Sequence, residues 1–131
     1  MKKYAVLLSH IDNRMVIRLN NKTIYDSGIS YKPVVFNPPY PVQLSGLTSP
    51  GTHALRFEFY NGAASAVKYQ EMNPYRFAYR IVEFSPQGEV MRDVVPPVSI
   101  EGESVPCIWL PDKFYVIRCE EGACAFSEKK F

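Results

Sequence analysis

Two histidines, three cysteines and one tryptophan in 131 residues leave little material for chemistry. Three cysteines is an odd number and cannot close into a complete disulfide framework. Cys119 and Cys124 flank a short insert, Glu120-Glu121-Gly122-Ala123, and would face each other across a hairpin. For a reducing cytosol free thiols are the expectation at all three positions. A zinc site built on Cys107, Cys119, Cys124 and a histidine lacks the paired short-spaced knuckles of structural zinc, so no metal is expected. Calcium at Asp12 and Asn13 would lack the several acidic ligands an oxygen site recruits.

A dominant charge is also missing. Fifteen basic and 13 acidic side chains give +2, too little to imply a nucleic-acid or membrane surface. Arg76-Phe77-Ala78-Tyr79-Arg80 comes nearest to a basic-aromatic stripe, and Glu83 dilutes it. No apolar run approaches the roughly 18 residues of a spanning helix. The run after Lys2-Lys3 ends within about five residues, below the roughly 7–15 of a signal peptide. Residues 3–11 read instead as a strand, and the expected compartment is the cytoplasm.

Catalytic signatures are lacking as well. No nucleophile elbow or phosphate loop occurs, and nothing in the spacing sets His10 or His53 beside a cysteine. No enzyme activity and no cofactor are expected; a cysteine-dependent enzyme is the remote alternative.

What is present is alternation. Met15, Ile17 and Leu19 alternate with Val16 and Arg18. Asn20-Asn21-Lys22 supplies turn chemistry, because asparagine tolerates the left-handed backbone of a tight hairpin, and residues 23–26 return. In residues 54–60, Leu55, Phe57 and Phe59 face one way and Arg56, Glu58 and Tyr60 the other. Residues 76–84 repeat this with Phe77, Tyr79 and Ile81, and a bulge at Ile81-Val82 would bring Phe84 to the same face. Residues 89–94 follow a turn at Ser85-Pro86-Gln87-Gly88. Residues 105–110 and 114–119 read as a hairpin about Pro111-Asp112-Lys113, and residues 123–127 as a last strand. Only residues 63–72 have helical composition. Seven to nine short strands in one domain indicate an antiparallel two-sheet β-sandwich.

Residues 28–50 break the pattern. Pro33, Pro38, Pro39, Pro41 and Pro50 read as a long stiffened loop, with residues 42–45 as a short strand inside it. Long loops rich in aromatics are commonly functional.

Two segments carry a family likeness. Residues 11–22, an acidic turn, a strand and the Asn20-Asn21-Lys22 turn, resemble a stretch of galactose-binding-like jelly-roll sandwiches. Residues 47–62, with Pro50-Gly51, His53, a strand and Asn61-Gly62, resemble a second stretch of the same domains. Asn21 stands where glycine is usual and His53 where asparagine is usual. The resemblance implies a jelly-roll fold and a non-catalytic module that binds glycans, lipids or proteins through loops at one end; some members carry structural calcium.

A sugar site needs an aromatic platform and polar groups for the hydroxyls. Tyr31, Phe36, Asn37 and Tyr40 in the proline-rich loop, together with Trp109, are the candidate ligand-binding residues. Tyr60, Tyr69 and Tyr75 are further aromatics, with Gln43, Asn61 and Asn73 near them in sequence. Against this, a tryptophan in an apolar strand is more commonly a core anchor. The expected partner is a glycan or small ligand. The alternative is a protein partner or a second copy, docking on an exposed edge such as 76–84 or 114–119.

Overall fold

The computed structural model describes residues 2–30, 32–48, 50–62, 73–104 and 108–130. Tyr31, Tyr69, Cys107 and the helical expectation for 63–72 lie outside them. Ten strands form: β1 (Lys3–Ile11), β2 (Arg14–Leu19), β3 (Lys22–Asp26), β4 (Val34–Gln43), β5 (Gly51–Asn61), β6 (Asn73–Phe84), β7 (Val90–Asp93), β8 (Val98–Ser104), β9 (Ile108–Glu120) and β10 (Ala123–Lys129). A 3-10 turn, Ser45–Thr48, follows β4. Among the described residues there is no α-helix, and no helix long and apolar enough to cross a membrane.

One antiparallel sheet runs β4-β1-β6, with β7 and β8 both paired to β6. The other runs β10-β9-β5-β2-β3. The two pack as the two-sheet sandwich the alternation indicates, with Val6, Leu8, Phe77, Tyr79 and Ile81 of the first sheet meeting Met15, Ile17, Leu55, Phe57, Phe59 and Ile117 of the second, all 0–1 % exposed. Phe57 stacks on Tyr79 with ring centroids 4.2 Å apart. Offset aromatic stacking adds to plain area burial. The β2–β3 hairpin turns on Asn20 and Asn21, both at positive φ (51° and 66°). Two consecutive left-handed residues match the twist of the flanking strands.

Four expectations need correction. The stretch 28–50 is not one loop: residues 34–43 are β4, paired antiparallel to β1. Prolines read as loop residues because they cannot donate to a ladder, yet β4 is an edge strand, where that loss is tolerated. Residues 114–119 do not form a hairpin about Pro111-Asp112-Lys113. They continue a single 13-residue strand from Ile108, and the register against β5 slips by one residue between Phe57↔Lys113 and Phe59↔Leu110. The turn-like residues therefore make a β-bulge. At Ile81-Val82 no bulge interrupts pairing with β1, which runs unbroken from Lys3↔Phe84 to Leu8↔Tyr79. Alternation fails there because Val82 is buried on the outer face as well. Lastly, Cys119 and Cys124 are joined in a disulfide, directly opposite each other across β9 and β10.

The edges differ from expectation too. Strand β6 lies between β1 and the β7–β8 pair, and β9 lies between β10 and β5. Neither 76–84 nor 114–119 offers a free edge.

Candidate functional site

The outer face of the second sheet gathers aromatic and charged side chains in register. Arg14 pairs with Tyr60 across β2–β5, and Tyr60 with Trp109 across β5–β9. Side chains that are direct partners on adjacent strands share a face and touch. The Tyr60 and Trp109 rings lie 4.9 Å apart, and the Arg14 guanidinium sits 5.6 Å from the centre of the Trp109 ring. On its other side Arg14 donates to both Asp26 carboxylate oxygens, at 3.0 and 2.7 Å. That bidentate bond holds Asp26 below, and Arg14 above, their ordinary pKa values.

Gly62 seats this cluster. A methyl group built there would stand 2.3 Å from the Tyr60 ring. The Asn61-Gly62 pair, read in the sequence as a turn, is thus also the space into which Tyr60 folds.

A second row lies beside the first. Arg18 is paired with Glu58, and Arg56 donates to Asp112 at 2.9 Å from Nε, with Nη2 at 2.7 Å. Arg56 also covers the Phe114 ring at 5.2 Å. Asp112 reaches Arg56 because the bulge re-aims β9 at this point. Across the two rows Arg14, Arg18 and Arg56 each meet a carboxylate, so their charges are matched locally. Asp112 and Phe114 also line a hollow of about 880 Å³ with Tyr75, Ile100 and Leu110, which continues from the bulge toward β8.

Trp109 is 51 % exposed, which corrects its reading as a core anchor. Its apolar neighbours in sequence belong to a strand, but its own face of that strand points to solvent. Phe36, Asn37 and Tyr40 are on β4 rather than on an end loop, and Asn37 is exposed. Phe36 packs against the core, Tyr40 lies 5.3 Å from it, and Tyr25 of β3 lies 5.8 Å from Tyr40. These three rings close the seam between the β3 and β4 edges. Phe36 and Tyr40 contact each other and Tyr25, whereas Trp109 contacts Tyr60 and Arg14, so these contacts form two separate groups. Asn61 is fully buried, donating to Ser104 Oγ and to the Asn73 carbonyl, and half-buried Asn73 donates back to Asn61 Oδ1.

Sequence reasoning missed Arg14, Asp26, Asp112 and Gly62. The outward alternation of β2 and β5 was visible, but the partnering of Trp109 with Tyr60 depends on the bulge, which shifts the register by one.

Asn13 Oδ1 accepts the Gly62 amide at 3.0 Å, and among the described residues no three His, Cys, Asp or Glu side chains cluster to hold a metal. His53 Nδ1 contacts the Asn20 amide at 2.9 Å, and His10 lies against Ser9 and Arg76. In comparisons with known proteins, the chain matches no family model, no curated protein and no solved structure.

Proposed function

We propose that this chain is a non-catalytic binding module, of the galactose-binding-like jelly-roll kind, that seats a neutral glycan ring on Trp109. The observation that carries the reading is the half-exposed Trp109 standing in register with Tyr60 and Arg14 on an otherwise ion-paired sheet face. An exposed indole joins an apolar face to a polar N–H, which suits it to a ligand with one apolar face and a polar rim. The apolar face of a pyranose suits the ring, and the flanking Arg14–Asp26 and Arg56–Asp112 pairs offer donors and acceptors for hydroxyls. Matched charges favour a neutral sugar over an acidic one. Non-catalytic action is supported by the bonding of Cys119 to Cys124, which leaves neither as a thiolate nucleophile.

Trp109 is the only tryptophan, so tryptophan emission, excited at wavelengths where the nine tyrosines do not absorb, reports on this face alone. Titration with a panel of neutral and acidic oligosaccharides is expected to give a saturable shift for a neutral one, unchanged between low and high salt. Trp109→Ala removes binding, measured by calorimetry, with a melting temperature near that of the parent. Gly62→Ala, which displaces Tyr60, weakens it. A panel that moves neither fluorescence nor heat overturns the reading.

A protein partner is the second reading. It is favoured by one observation, the exposure of Ile29 (49 %), Val35 (59 %) and Tyr40 (46 %) near the β3–β4 seam. Tyr40→Ala then lowers an association seen by light scattering and leaves Trp109 fluorescence unchanged.

A further inference from the structure

We propose that a second site, independent of Trp109, binds a small apolar carboxylate in the cavity at the Lys2–Lys3 end of the sandwich. The cavity holds about 350 Å³, at the lower end of the roughly 300–1,000 Å³ typical of small-molecule sites. Tyr4, Leu44 and Leu47 line it, each 3–7 % exposed, so its interior is apolar. Lys2 and Lys3 stand on its rim with Gln43 and Ser45, and none of the described residues that line it is a carboxylate.

The local backbone fixes this shape. Leu44 N donates to the Tyr4 carbonyl at 2.9 Å, which ties the end of β4 to the start of β1. The 3-10 turn Ser45–Thr48 then carries Leu47 back over the core. That hydrogen bond, the 3-10 turn and the packing of Leu44 and Leu47 in the core together fix the apolar wall of the hollow. Lys2 also lies 3.7 Å from buried Glu83, whose nearer cation is Arg92 at 3.2 Å. Glu83 thus has a counter-ion of its own, and Lys3 has none of this competition within the cavity lining.

Apolar walls under two ammonium groups define the ligand by chemistry. An alkyl chain gains from leaving water, and a single negative end gains from the lysines. A phosphate or sulfate alone has nothing to place on Leu44 and Leu47. A neutral alkane or alcohol leaves the lysines unused, and a cationic amphiphile is repelled by them.

The test uses octanoate, octanol and octylammonium on the whole chain, with binding measured by calorimetry and located by methyl NMR. Octanoate is expected to saturate and to shift the Leu44 and Leu47 methyl signals, while Trp109 fluorescence stays unchanged. Lys3→Gln weakens octanoate about fivefold, the scale of one exposed charge pair, and leaves octanol as it was; Lys3→Arg restores octanoate. Ser45→Trp, a rim substitution that leaves the core intact, fills the mouth and removes binding of both. The proposal falls if octanol matches octanoate, if octylammonium binds tighter, if the two methyl signals stay still, or if Ser45→Trp binds normally. None of these outcomes bears on the sugar site, whose readout is Trp109.

Discussion

Tyr79 and Tyr115 meet hydroxyl to hydroxyl at 2.7 Å in the middle of the core, 1 % and 2 % exposed. Each is satisfied by the other, which is how two polar groups can sit among phenylalanines at small cost. Tyr79→Phe leaves the Tyr115 hydroxyl without its partner and is expected to lower stability by about 1–3 kcal/mol; Tyr79→Phe with Tyr115→Phe recovers most of it, as denaturant unfolding will show. Burial also raises both phenols above the ordinary tyrosine value of 10.0. Unfolded, the same groups ionise near that value, so above it the unfolded chain binds fewer protons than the folded one. Their contribution is therefore complete below pH 10 and is lost as pH rises toward the folded values. The double phenylalanine variant should lose less stability between pH 9 and pH 11 than the parent.

At the level of single elements, β3 and β9 show what the sequence could and could not tell. The β2–β3 hairpin was legible because Asn20 and Asn21 carry their own conformational reason. Strand β9 was half legible: its alternation from Phe114 onward is plain, but Pro111-Asp112-Lys113 has the same chemistry in a bulge as in a turn. Only the long-range pairing with β5 decides between them. Strand β4 was hidden for a related reason, since proline content speaks to ladder donation and not to position in a sheet. The candidate site suffered most, because a face is assembled from strands distant in sequence. Strand β3, short and at an edge, is fastened by Arg14–Asp26 and by the Gly28 amide on the same carboxylate. The hydrogen bonds from Arg14 lower the Asp26 pKa, so this support is present above the unfolded value near 3.8 and is lost as pH falls through the folded one. Asp26→Asn should lower the melting temperature slightly at pH 6, with the gap closing by pH 2, as paired thermal melts will show.

For the whole molecule, the disulfide hairpin does more than close a tip. Tyr4 of the first sheet receives the Cys124 amide at 2.8 Å, and Lys2 N donates to the Gly122 carbonyl at 3.1 Å. At this end the first sheet is thus tied to the second by backbone groups of the β9–β10 hairpin. Cys119→Ser with Cys124→Ser should cost about 2 kcal/mol on the loop-closure scale for so short a loop. The loss should appear as a lower midpoint of a single global transition, measured by urea unfolding at two wavelengths. Alkylation of the unreduced, denatured parent should label one thiol of three.

Strand β4 carries a consequence for growth rather than for binding. Leu44 N donates inward to Tyr4, so by alternation the outward-facing positions of β4 include Pro39 and Pro41, two residues without an amide hydrogen on the free margin of the first sheet. A strand arriving there finds carbonyls but too few donors to zip alongside, so the sheet cannot lengthen copy by copy into a ribbon in that direction. The residues that disguised this strand as a loop also mark where polymerisation stops.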